Sequence, residues 1–192
     1  MNATGATAVD RLYVEANSIV QILQSGAETS LQNAASDNFR KALLLGAASH
    51  FEHRICTLLC DFVSERSGGS VLVESFVRKK AISRQYHTLF SWDTPNANQF
   101  FGYFGDEFRI GMSQKIQTSD KLLESIRAFM EIGRERNRLV HQDYATFPLE
   151  KTLDEIYALY QKGLYFVEIL PNALRECDDT CRANDIKAKA AH

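Results

Sequence analysis

Between residues 36 and 65 the chain runs without a proline, and the interior of that stretch, "KALLLGAASHFEHRICTLLCDFV", is apolar on more than one side of a helix. A helix on a protein surface keeps one apolar stripe, whereas a helix that is apolar on several sides must be surrounded by others. This segment therefore predicts the central helix of a bundle. The rest of the chain agrees. Only Pro95, Pro148 and Pro171 interrupt it, and no segment alternates strictly enough to read as a strand of any length. "SVLVESFV" at 70–77 is the one ambiguous piece. The predicted class is all-α, without internal repeats.

Around the central helix the spacing predicts several others. Val9, Leu12, Tyr13, Ala16, Ile19, Val20 and Leu23 recur at helical intervals, giving a first helix over 7–24 that ends at Gly26. A short helical turn is expected at 28–34, and Ser36 is placed to cap the central helix, which "SGG" at 67–69 stops. Further helices are expected over 71–83, over 96–115 behind Thr94 or Asn96, over 120–142 behind Ser119 or Asp120, and over 149–180. Pro171 is expected to kink or split the last of these.

All 192 residues fit one domain, with a core over about 7–180 and a tail, "DIKAKAAH", expected to fray over about 183–192. A formal net charge of −2 gives no global field for nucleic acid, although a local basic cluster can still act. The start "MNATGATAVD" has neither a basic run nor an apolar one, and no stretch approaches the length of a membrane span. A cytoplasmic setting with no membrane partner is expected, so Cys56, Cys60, Cys177 and Cys181 are read as reduced thiols.

The helix over 120–142 raises the functional question. Turning 100° per residue, Leu122, Ile126, Phe129, Met130, Gly133 and Val140 form one stripe, with Glu124, Arg127, Glu131, Glu135 and Arg138 opposite. Near its end, in "RNRLVH", Arg136 and Asn137 fall on either side of the stripe and His141 falls at its edge. Burying such groups without partners costs several kcal/mol, roughly. Asn137 and His141 stand at i and i+4, where an amide-to-imidazole hydrogen bond is geometrically easy. The bare spacing is weak: in this composition an Arg followed a few residues later by His arises about once by chance. The Asn directly after the Arg and the polar break in a packing face add weight.

"IGRERNRLVHQDYA" resembles the signature helix of the HEPN superfamily, in which an Arg is followed by a polar residue and, a few places on, by His. Within that superfamily the chain is most similar to the RiboL-PSP-HEPN family. "ASHFEHRICTLLCDF" resembles that family's aromatic and acidic helix, "FFGYFG" the stretch before its signature helix, and "LVHQDYAT" with "LYQKGLYFVEIL" its C-terminal end. The likeness spans most of residues 35–175. It implies a helical bundle that dimerises through the signature helix, and a metal-independent endoribonuclease needing no cofactor. By position, Arg136 and His141 are the catalytic pair it implies, and Asn137 the polar residue beside them. Toxin-type relatives carry a Tyr two places after the His. Here Tyr144 is three places on, so the resemblance does not carry over the modification of that Tyr.

Those residue types suit the implied chemistry. RNA cleaves when its 2′-OH attacks the neighbouring phosphate, which needs a base, an acid and positive charge on the phosphorane. Imidazole titrates near neutrality, and a guanidinium fork matches phosphoryl oxygens while staying charged. The expected products are a 2′,3′-cyclic phosphate and a 5′-OH, and DNA is expected to resist. Arg134, Arg138 and Arg127 are candidate contacts to the RNA backbone. The expected setting is toxin–antitoxin, stress or anti-phage defence, with a cognate antitoxin or other regulatory protein as a further partner. The rival expectation is a non-catalytic module of the same shape that binds RNA, a nucleotide or a partner protein.

Other residues carry two readings each. Glu52 either orients Arg136 by a buried ion pair or faces water. Asp143 and Tyr144 follow the signature closely and are candidates to line the cleft; Tyr144 either stacks a base or caps and packs. "RKK" at 78–80 with Arg84 is either a solvated helix end or an RNA contact. The cysteine pairs, each one helical turn apart, lack the spacing of zinc knuckles; Cys56 and Cys60 read as small apolar side chains, and Cys177 and Cys181, in acidic surroundings, as facing solvent. Phe100, Phe101, Tyr103, Phe104 and Phe108 read as core, with Gly102 and Gly105 permitting close approach.

Overall fold

A computed structural model describes residues 6–190. Every regular element among them is helical. In chain order these are α1 Ala8–Ser25, α2 Thr29–Arg66, α3 Val71–Val77 with a π-helical turn Arg78–Ile82, α4 Tyr86–Leu89, α5 Asn98–Gly102, α6 Asp106–Gln117, α7 Asp120–His141 and α8 Leu153–Ala190.

Helix α2 is the central helix that its sequence predicts, but it is longer. The expected turn at 28–34 and the expected helix from 36 are one element, and Ser36 lies inside it rather than at its cap. No proline separates the two, so nothing forces a break. In contrast, the helix expected over 96–115 is two. Gly105 adopts φ +93°, a conformation that L side chains rarely tolerate, and it separates α5 from α6. Open space surrounds Gly102, so that glycine serves no close approach. Tyr103, read as core, is 60% exposed in the same turn.

The last helix begins at Leu153, not 149. Thr152 accepts a hydrogen bond from the Glu155 amide (3.2 Å), and the Glu155 carboxylate accepts one from the Thr152 amide (2.8 Å). This reciprocal cap satisfies two amides at the helix start. Pro171 neither splits nor ends α8, whose backbone continues helical to Ala190, past the expected start of fraying. Leu170, Ala173 and Leu174 are buried around the proline, and their packing carries the helix past its missing hydrogen bond.

Helices α2, α7 and α8 enclose the core, with α1 laid across α2 and α8. An aromatic cluster fills the centre. Phe129 of α7 meets Phe166 of α8 edge-on with centroids 5.1 Å apart, and Phe51 of α2 at 5.1 Å. Gly163 lets the helices close: a Cβ there would stand 2.7 Å from the Phe51 ring and 3.2 Å from the Phe129 amide. Beside it the buried Ser125 hydroxyl accepts a hydrogen bond from the Phe166 amide at 2.6 Å.

A polar chain fastens α1. The Tyr160 hydroxyl lies 2.6 Å from His50 Nδ1 and 3.0 Å from Thr7 Oγ1, while Asp10 accepts from Tyr157 (3.0 Å) and Gln161 (2.8 Å). Burial raises the Tyr160 hydroxyl to about 12. Burial, together with nearby Arg54 and His53, lowers His50.

Candidate active site

Helix α7 starts where Ser119 accepts a hydrogen bond from the Leu122 amide at 3.3 Å, and it ends at His141. Its apolar stripe packs inward through Leu122, Ile126, Phe129, Met130 and Gly133, as its periodicity predicts. The last two turns differ. Val140, read as part of that stripe, is 45% exposed, whereas Leu139 is fully buried and Glu135, read as outward, is 5% exposed. The packed side has moved around the helix. The face that earlier turns bury is left open at the end, and it carries Arg136, Asn137, Val140 and His141. The polar break in the stripe is thus where cover by the bundle stops.

Trp92 marks that boundary. Its ring occupies the space where a Gly133 side chain would be, and its Nε1 donates to the His87 carbonyl at 2.9 Å. With Tyr86, His87, Glu52 and Phe129 it walls a narrow crevice that also receives Arg136 and Asn137. Glu52 therefore stands at the site, but no ion pair joins it to Arg136 among the described residues. Of its two readings, the ion pair with Arg136 is not formed among the described residues, and the two share the crevice. Burial and the charge of Glu52 push the Tyr86 hydroxyl well above its ordinary value, so it stays protonated there.

Asn137 makes a different bond from the one expected. Its Oδ1 accepts from Arg136 Nη1 at 3.1 Å, and no bond to His141 forms among the described residues. Arg136 and its neighbours differ in charge environment. Arg134 pairs with Glu131 at 2.7 Å, and Arg138 with Glu135 at 3.0 Å. Lys151 adds a second cation to Glu131 at 3.0 Å. Arg136 has no carboxylate within ion-pair distance among the described residues, and it is half-buried. Arg127 is exposed on an earlier turn.

The residues after His141 form a turn tied to α2. Asp143 accepts from the Ala145 amide (3.1 Å) and the Thr146 hydroxyl (3.2 Å), which closes a turn rather than lining a cleft. Tyr144 is 43% exposed, and its carbonyl accepts from Lys41 Nζ at 2.9 Å. Lys41 was not singled out from the sequence. It is 2% exposed, pairs with Asp37 at 2.8 Å and lies under the Tyr144 ring at 5.2 Å. Arg40 beside it donates to the Leu149 carbonyl at 3.0 Å. Two adjacent cations of α2 thus hold both ends of the loop that follows the signature helix. A signal existed: Lys41 precedes "ALLLG" on a helix predicted to be surrounded. Tyr86 and His87 lie in the four-residue α4 and Trp92 in the turn after it, segments too short to carry a periodic signal.

The family model of RiboL-PSP-HEPN matches residues 10–176, which is most of the chain and all of the signature helix. The chain belongs to the RiboL-PSP-HEPN family. No curated protein and no solved structure matches it. As a HEPN-type domain it is all-helical throughout the described residues. Among those residues no three His, Cys, Asp or Glu side chains gather as a metal set, and the four cysteines are free. No described helix is long and apolar enough to cross a membrane.

Proposed function

We propose that this HEPN domain is a metal-independent endoribonuclease acting through Arg136 and His141. The observation that carries the reading is the isolation of Arg136. Three arginines stand within five residues; acidic side chains pair with two, and the third is oriented by an amide and has no ion-pair partner among the described residues, at a crevice it shares with Glu52. A free guanidinium there matches the charge that develops on a phosphorane.

Arg136 and His141 are five residues apart, which on a helix means about 140° of rotation and about 7.5 Å of rise. One chain therefore aims them in different directions. Two copies meeting along the open face of α7 bring one chain's histidine toward the other's arginine. Exposed Val140, between them on that face, supplies apolar area for the contact. His141 then moves the proton of the 2′-OH or of the 5′ leaving oxygen, and Arg136 holds the phosphoryl oxygens. The 2′-oxygen–phosphorus bond forms as the bond to the 5′-oxygen breaks. The ends are a 2′,3′-cyclic phosphate and a 5′-OH. A cytoplasmic toxin or defence role, held in check by a cognate antitoxin, fits such an activity.

Wild type, Arg136→Ala and His141→Ala are to be incubated with total RNA in EDTA, and the product ends read. Cleavage with cyclic phosphate ends by wild type only is expected. A His141→Ala variant as fast as wild type, or cleavage that requires added metal, would sink the reading. The second reading, a non-catalytic module, draws on Val140, since an exposed valine beside the polar pair also suits docking of a partner protein. RNA or protein binding without cleavage, unchanged in His141→Ala, would favour it.

A further inference from the structure

A second hollow lies away from the Arg136 crevice, between α2, the π-helical turn, α4 and α5. It encloses about 470 Å³ and is walled by Leu59, Phe62, Val77, Leu89, Phe100 and Phe104. That is the size and composition of a small-ligand site. Its rings pack edge to face: Phe62 with Phe104 at 6.4 Å and 79°, and Phe100 with Phe104 at 5.2 Å and 69°. Rings turned edge-on to one another line the hollow with apolar surface. They do not form the platform of parallel faces on which bases stack.

The mouth is cationic. Lys80 is in the wall, and no carboxylate is. Lys80 takes part in no ion pair among the described residues, and neither do the exposed Arg78, Lys79 and Arg84 close to it in the chain. The backbone is irregular at the same place. Arg78–Ile82 is a π-helical turn, and Arg84 holds φ +60°, a left-handed conformation unfavourable for a residue with a side chain. Both features concentrate where backbones are shaped around ligands. The run "RKK" with Arg84 is exposed at the end of α3 and its π-helical turn.

We infer that this hollow binds an amphipathic organic anion, an alkyl chain ending in a carboxylate, with the chain among the phenylalanines and the headgroup at Lys80. A second copy of the protein is a poorer occupant, because a stable interface needs about 800 Å² per partner and this recess takes one small molecule. The inference does not depend on ribonuclease activity.

Decanoate is the probe, titrated calorimetrically below its micellar range against decanol and decyltrimethylammonium. Saturable one-site binding of decanoate is expected, with both other amphiphiles weaker by about tenfold or more. Lys80→Glu, at an exposed position, is expected to weaken decanoate by a similar factor. Ala81→Trp, which puts an indole into the mouth from an exposed alanine, is expected to abolish it. Equal binding of the three amphiphiles, no saturation by decanoate, or full binding to Ala81→Trp would overturn the inference. So would an RNA oligonucleotide that binds wild type but not Lys80→Glu while decanoate fails, which would assign Lys80 to nucleic acid.

Discussion

The Asn137 amide oxygen faces the Arg136 guanidinium at 3.1 Å, so the amide steadies the arginine rather than the histidine. A hydrogen bond to a charged group contributes about 1.5–3 kcal/mol. On the proposed mechanism, Asn137→Ala lowers kcat for RNA cleavage by about ten- to hundredfold, with folding intact by thermal melt. Arg138→Ala, whose guanidinium is already committed to Glu135, lowers it by no more than about threefold. Single-turnover cleavage by the two variants side by side checks the order.

The same charge pairing separates the candidate backbone contacts. Arg134 and Arg138 are neutralised within the chain, and Arg127 is exposed. A phosphate contact contributes about one to the slope of log affinity against log salt. Arg127→Ala is expected to reduce that slope for RNA by about one, whereas Arg134→Ala and Arg138→Ala leave it unchanged. Affinity of a catalytically silent variant across a salt series measures this.

Asp37 and Lys41 differ in what each leaves behind. Removing Asp37 strands a lysine that is 2% exposed and also takes a partner from Arg40. Asp37→Ala is therefore expected to cost about 3 kcal/mol or more. Lys41→Met leaves an aspartate that can rehydrate and one unpaired carbonyl, costing about 1–3 kcal/mol. Denaturant melts are expected to rank Asp37→Ala as the less stable variant.

Acid acts on the α1 fastening. His50 is held below its ordinary value by burial, Arg54 and His53, so the unfolded chain binds the proton more readily. Its contribution is complete above the ordinary histidine value and is lost as pH falls through the lower, folded one. Burial works against ionisation of Asp10, but hydrogen bonds from Thr7, Tyr157 and Gln161 outweigh it. Its contribution therefore disappears at still lower pH. Stability is expected to decline as pH drops below the histidine range, and His50→Gln is expected to flatten the first part of that decline. Thermal melts across a pH series of the two proteins test it.

Periodicity made the helices legible because burial in a bundle repeats every 3.6 residues. The extent of α7 to within a residue, its cap at Ser119 or Asp120 and the inward stripe of its first four turns could all be read directly. Where the stripe stopped being covered could not. Val140 and Leu139 are both apolar, and only the neighbouring elements decide which of them is buried. Asn137 likewise had two partners within reach, and a wheel shows angles, not side-chain rotamers. Arg136, Asn137 and His141 share the end of α7 that the bundle leaves partly uncovered, while Asp143, read as a cleft residue, accepts hydrogen bonds within a turn. The crevice wall of Tyr86, His87 and Trp92 comes from a segment without periodicity, so no sequence pattern pointed to it.

Trp92 and Gly133 are more than forty positions apart, yet each defines the shape allowed at the other. A side chain at 133 has nowhere to go while the indole is seated, and without the indole a hole opens beside Arg136. Evolution can therefore alter the two only together. In related chains a larger residue at the position of Gly133 is expected to accompany a smaller one at the position of Trp92. Such paired exchange would be readable from sequences alone, as an inherited trace of how the signature helix is braced.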